Sequence, residues 1–259
     1  MDRVPERLRI RYTKRGRIRY TSQRDMARII ERGLRRSRLP IAQSQGFSPR
    51  PLLAFSLALP TGCESLAEYI DLRFAEGGGA GFAAIADPEA GSDGAAYVAR
   101  ALQSTMPEGI EVVSAGVLTG AEGSLQEQVT SCDWVLEVIG MGADQLSERV
   151  ATLLEHDQVL VERVRKGRKA EDNLRPSIVT LFHRGSGSTP GTQRIEAVLS
   201  TKPRGVRPVE LLEGIDPSLR LVRGTRTGQY ETVDGERYEP LSPLGLVRAP
   251  AVAVGAQGR

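Results

Sequence analysis

Leu8-Arg9-Ile10-Arg11-Tyr12 alternates apolar and charged residues, and the run from Ser22 to Arg38 then changes to helical spacing. Alternation at period two is the signature of a half-buried strand. Lys14-Arg15-Gly16-Arg17 reads as a turn, and Ile18 to Tyr20 as a short continuation of the strand. Ser22 with Asp25 three positions later forms a helix N-cap pair. Met26, Ile29, Ile30, Gly33 and Leu34 then recur on one helical face, and Pro40 ends the helix. These residues set the first β–α step, and everything downstream is read from it.

Ile41 to Ser44 is a candidate short strand, and Gln45-Gly46-Phe47-Ser48-Pro49-Arg50-Pro51 has turn chemistry. Leu53 to Leu59 and Glu68 to Phe74 are the next strand candidates. Residues 75–95 are rich in Gly and Ala without periodicity and read as a flexible insertion. A helix over Tyr97 to Met106 and a strand over Ile110 to Ala115 complete the order βαββαβ, which is the ferredoxin-like split βαβ pattern. The order recurs. Asp133 to Ile139 is a strand and Ala143 to Leu154 an amphipathic helix. Val159 to Val164 and Ile178 to His183 are strands flanking a polar loop, Arg165 to Pro176. Arg194 to Ser200 extends the sheet, Pro208 to Leu212 is helical, and Leu219 to Thr225 closes the unit. The expected fold is therefore α+β: two tandem ferredoxin-like units with a disordered C-terminal tail. The expected divisions are a basic unit over 1–116, a linker over 117–131, a second unit over 132–232 and a tail over 233–259.

Charge is distributed unevenly along this chain. The first fifty residues hold fifteen Arg or Lys against four Asp or Glu, a balance of +11, while the whole chain of 259 residues is only +3. The remainder therefore sums to −8. A cationic end on an otherwise mildly acidic protein suits a polyanion, RNA foremost. Arg24, Arg28, Arg32, Arg35 and Arg36 occupy the polar side of the first helix. Arg163, Arg165, Lys166, Arg168 and Lys169 pack five cations into a loop of seven residues hinged at Gly167.

Other chemistries find little support. Cys63 and Cys132 are too few for a disulfide framework and show no CxxC spacing. His156 and His183 sit in no HxxxH or HxE context, so neither a metal nor another cofactor is expected. Gly77-Gly78-Gly79-Ala80-Gly81 lacks a full GxGxxG, and no GxSxG or HExxH occurs. The absence of CxxxCxxC means the chain does not hold a radical SAM iron–sulfur cluster through the usual three cysteines. Apolar runs such as Leu52 to Leu59 are too short to span a bilayer, and no apolar signal-peptide run begins the chain. A cytoplasmic protein with no membrane partner is the expectation.

Three blocks of residues resemble a known family. They are Tyr20-Thr21-Ser22 through Asp25 with Ala27-Arg28 and Leu34-Arg35-Arg36; Leu39-Pro40-Ile41-Ala42 through Ser44-Gln45-Gly46-Phe47, Pro49 and Pro51; and Leu59-Pro60 with Gly62, Glu64-Ser65, Glu68-Tyr69 and Asp71. In this order they are similar to the radical-SAM-associated domain of unknown function, found in bacteria fused to, or encoded beside, cobalamin-binding-type radical SAM proteins. The chain departs from the usual pattern at Ser48, Arg50 and Leu52. The resemblance implies a radical SAM enzyme as partner and a functional link to an RNase E/G-type ribonuclease. It brings no established catalytic residue.

The function these observations favour is a non-catalytic accessory protein. It would bind rRNA or tRNA through the two cationic segments and through Gln45, Phe47 and Arg50 of the turn, and work with a separate radical SAM enzyme in RNA modification. One alternative is an enzyme acting on RNA or a nucleotide, with Glu64 or Glu68 as acid or base in a polar site completed by Ser48 and Asp71. Another is a protein–protein adaptor whose basic face docks on an acidic enzyme surface without RNA.

Overall fold

The computed structural model describes residues 7–75, 94–118, 123–165 and 168–241. The chain divides into two compact units, one of Met1–Val129 with Glu231–Arg248, the other of Thr130–Tyr230 with Ala249–Arg259. It is a mixed α+β protein with mostly antiparallel strands and few helices. Among the described residues, no helix is long and apolar enough to cross a membrane.

In the first unit, β1 (Arg7–Lys14) leads through a 3-10 turn (Gly16–Tyr20) into α1 (Gln23–Ser37). Then come β2 (Leu53–Phe55), β3 (Glu64–Arg73), α2 (Gly94–Gln103), β4 (Ile110–Leu118) and the single turn α3 (Leu125–Gln128). The spatial order is β4-β1-β3-β2, every neighbouring pair antiparallel: Ile10 faces Ala115 on one side and Ile70 on the other, and Leu53 faces Leu72. Leu8, Ile10 and Tyr12 of β1 join Ile70 and Leu72 of β3 beneath Met26, Ile30 and Leu34 of α1 and Val98 and Leu102 of α2. Gly33 lets the two helical segments approach, since a Cβ there would strike the Met106 and Thr105 side chains. Ile18 to Tyr20 is a 3-10 turn rather than more strand, because Gly16 at φ +67° reverses the chain directly after β1.

Arg9, Thr13 and Lys14 of β1 are buried as well. Arg9, 1% exposed, is covered with Ala67, Tyr69 and Leu125 on the second face of the sheet. Residues 117–131, expected as a linker, hold the end of β4, α3 and the first residue of β5 (Ser131–Ile139).

The second unit continues from β5 to α4 (Ala143–Glu155) and a hairpin of β6 (Leu160–Arg165) and β7 (Arg168–Asn173). It ends with β8 (Ile178–Ser186), β9 (Gln193–Ser200), α5 (Pro208–Ile215) and β10 (Arg220–Val233). Its sheet runs β10-β5-β9-β8, again antiparallel throughout, with Trp134 opposite both Arg226 and Ala197. Cys132, Trp134, Leu136 and Val138 line one buried face of β5, matched by Leu146, Val150 and Leu153 on α4. The β6–β7 pair forms a two-stranded sheet of its own, so the expected loop Arg165 to Pro176 is in large part a strand. Alternation in Arg-Lys-Ala-Glu-Asp is between charged residues, which hides a solvated hairpin from a hydrophobicity reading.

Glu231–Val233 pair with β11 (Glu236–Tyr238), and the chain goes on to Glu239, Pro240 and Leu241 within the first unit. Pro240 is buried, so the segment expected as a disordered tail is packed at least that far. Most of the insertion expected over 75–95, and the tail beyond 241, lie outside the described residues.

Candidate nucleic-acid interface

Successive helical residues turn by about 100°. Arg24, Arg28, Arg32, Arg35 and Arg36 therefore share one side of α1, opposite buried Met26, Ile30, Gly33 and Leu34, and all five are exposed. Within α1 only Asp25 and Glu31 offset them. Arg28 meets Asp25 at 3.0 Å and Arg35 meets Glu31 at 3.5 Å. Such exposed pairs neutralise little. Arg32 and Arg36 have no ion-pair partner among the described residues. The helix start is closed by Ser22, whose Oγ accepts from the Asp25 amide and donates to its carboxylate. That hydrogen bond, with Arg28 beside it, holds the Asp25 carboxyl below the ordinary range.

The α1 helix ends at Arg38, in the left-handed region at φ 56° and also exposed. Two short bridges follow, Ile41 with Phe74 and Gln43 with Pro51. The Ser44 amide donates to the Arg50 carbonyl at 2.8 Å and the Arg50 amide to Ser44 Oγ at 3.1 Å. This clamps a loop whose residues Gln45, Gly46, Phe47, Ser48, Pro49 and Arg50 are all exposed, with Phe47 fully so. An exposed aromatic ring on a clamped loop suits base stacking.

The expected polar site does not come together. Ser48 is on that exposed loop, whereas Glu64, Glu68 and Asp71 are buried along β3. Asp71 is held by Arg9: Nε donates to Oδ1 at 2.7 Å and Nη2 to Oδ2 at 3.0 Å. Nη2 also donates to Gln128 Oε1 at 2.9 Å, and Nη1 to the Pro240 carbonyl at 2.7 Å. Glu64 accepts from the Gly16 amide at 2.8 Å, with Arg19 3.5 Å away. Carboxylates placed this way hold backbone and arginines in position, and the acid–base role drawn for Glu64 and Glu68 loses its shared cleft.

In the second unit, Arg163 reaches Asp172 at 3.3 Å and Lys169 reaches Glu162 at 3.0 Å. Two of the cations on the β6–β7 hairpin are thus paired with carboxylates of the same two strands. Arg165 and Arg168 face each other in the backbone register, and Lys166 lies outside the described residues. The hairpin is less cationic than its local run of residues suggested.

One arrangement escaped sequence reading altogether. Arg19 lies over the Tyr20 ring, 4.8 Å from its centre, and donates to the Tyr20 hydroxyl at 2.7 Å. Tyr20 is 63% exposed. The only signal for it was Tyr20-Thr21-Ser22 standing among the family-like blocks.

A family model described as an uncharacterized protein conserved in bacteria (DUF2344) matches residues 7–208. No curated protein matches the chain. Among solved structures, a crystal structure of a Cbf5-Nop10-Gar1 complex is similar at a TM-score of 0.43 and 6% identity, covering 86% of this chain and 48% of that one. A structure of an H/ACA RNP bound to a substrate RNA containing 2'-deoxyuridine is similar at 0.43 and 7%, covering 86% and 47%. The chain spans about half the length of these solved chains. Similarity at that level decides neither fold nor activity.

Proposed function

The chain belongs to the DUF2344 family of uncharacterized proteins conserved in bacteria, and from that premise and the geometry of its first unit we propose that it is an RNA-binding accessory protein. The observation that carries this reading is the exposed arginine side of α1, where Arg32 and Arg36 have no carboxylate partner among the described residues. Arginine in such a stripe contacts phosphates and positions a nucleic acid without reading its sequence. Phe47 and Arg50 on the clamped loop add a stacking ring and a further cation. The β6–β7 hairpin, with Arg163, Arg165, Lys166, Arg168 and Lys169, is a second and weaker contact, since Arg163 and Lys169 are already paired with carboxylates.

The motif blocks that resemble the radical-SAM-associated domain support a division of labour, in which this chain holds rRNA or tRNA for a separate radical SAM enzyme. The strand orders β4-β1-β3-β2 and β10-β5-β9-β8, each antiparallel, support reading both units as split βαβ modules. Burial of Glu64, Glu68 and Asp71, with Glu64 held by backbone and Arg19 and Asp71 by Arg9, disfavours an acid–base role in this chain. The adaptor reading shares the same basic face and differs only in its partner.

Crosslinking or gel-shift measurement with total RNA, comparing wild type with Arg32→Glu/Arg36→Glu, tests the proposal. Both positions are exposed, so the substitutions leave the buried side of α1 unchanged. RNA retention falling about tenfold or more is the expected result. Unchanged retention sinks the proposal, and a radical SAM partner captured after nuclease treatment, without RNA retention, favours the adaptor.

A further inference from the structure

Exposed aromatic side chains are few among the described residues: only Tyr20, Phe47 and Tyr97 are large, aromatic and exposed, all within the first unit. Tyr20 differs from an incidental surface ring in how firmly it is mounted. The Gly16–Tyr20 turn is fastened at both ends. The Gly16 amide donates to Glu64 Oε1 at 2.8 Å, and the Arg19 guanidinium lies 3.5 Å from the same carboxylate oxygen. The Arg19 carbonyl accepts from the Gly62 amide at 2.9 Å, and Lys14 Nζ donates to the Thr21 carbonyl at 2.7 Å. Glu64 is only 2% exposed, so a buried charge fixes the turn that carries the ring.

Arg19 then fixes the ring itself, through contact with its face and a hydrogen bond to its hydroxyl. The rest of the ring is exposed, and Arg17 and Arg24, three residues before it and four after it in the sequence, are exposed as well. An ordered aromatic surface flanked by cations is what a sequence-tolerant base-stacking platform requires. Bases within a duplex are already stacked on their neighbours and are not offered to a protruding ring.

We propose that Tyr20 is a stacking platform for an unpaired base of single-stranded RNA, with Arg19 and Glu64 as its positioning residues. The proposal rests on the RNA reading above and deepens it by naming single-stranded RNA as the form preferred at the start of α1. Glu64 accordingly shapes a binding surface and does not transfer protons.

The test uses the full chain and labelled oligouridylate, alone or annealed to oligoadenylate, at one salt concentration. Stacking one base is worth about 1–3 kcal/mol, and about 1.4 kcal/mol is tenfold in affinity. Tyr20→Ala should weaken single-strand binding about tenfold and leave duplex binding unchanged, while Tyr20→Phe stays close to wild type. Glu64→Gln should give a smaller loss that Tyr20→Ala masks in the double variant. If Tyr20→Ala binds the single strand like wild type while Arg32→Glu/Arg36→Glu weakens it, the platform is overturned and the RNA reading stands. If wild type binds neither probe, both fall together.

Discussion

Arg9 and Arg32 lie in one cationic stretch of sequence, yet Arg9 is buried with its donors shared among Asp71, Gln128 and Pro240, and Arg32 is exposed on α1. Charge counting treats the two alike. What separates them is cover on the second face of the sheet, supplied by α3 and by Pro240 from far along the chain, and local alternation carries no trace of that cover. A buried pair broken on one side leaves an uncompensated charge, at a cost of about 3–5 kcal/mol. Asp71→Ala is therefore expected to lower unfolding stability by roughly that amount, read from the midpoint of urea denaturation. A loss below about 1 kcal/mol would show that water reaches Arg9 after all.

Elements whose hydrophobic period was strong were legible from sequence. The first helix was expected from Ser22 to Arg38 and occupies Gln23–Ser37, and β5 and α4 fall within a few residues of their expected limits. The departures have local causes. Gly16 turns Ile18 to Tyr20 into a 3-10 turn, and solvated alternation conceals β7. The connection between β8 and β9 has a linker-like composition, Gly185-Ser186-Gly187-Ser188, but it is anchored to β5. The Ser188 amide and hydroxyl donate to Glu137 Oε1, and the Thr189 hydroxyl donates to Oε2. Burial alone would raise the Glu137 pKa; the hydrogen bonds from Ser188 and Thr189 outweigh it and hold the group at about 2, against an ordinary 4.5. A depressed folded-state value contributes stability above the unfolded-state pKa, and that contribution is lost as pH falls through the folded-state value. Wild type is thus expected to lose stability between about pH 4.5 and 2 through this residue. Glu137→Gln should flatten that part of a stability-against-pH curve, and an unchanged acid limb would refute the anchoring role.

For the whole molecule, the balance of +11 over the first fifty residues against −8 over the rest sets how the protein meets a polyanion. A net charge of +3 spread evenly would attract RNA weakly and without preferred orientation. Concentrated on α1, the same total presents five arginines on one helix side, while Arg9, Arg11 and Arg19 are already committed to partners inside the first unit. The number of phosphates engaged is then smaller than the sequence count of fifteen cations suggests. Single-stranded RNA releases counterions with a slope near −0.7 per phosphate neutralised. Engagement of the five α1 arginines alone therefore gives a slope of about −3 to −4 in a plot of log affinity against log salt. Titration of labelled oligouridylate across a salt series measures it directly. Arg32→Glu/Arg36→Glu should make the slope shallower by one unit or more. Tyr20→Ala, which removes stacking and no charge, should shift the line downward and leave its slope in place. A slope near zero for wild type would mean that the concentrated charge serves a protein partner, because burial of an interface without phosphate contacts releases few counterions.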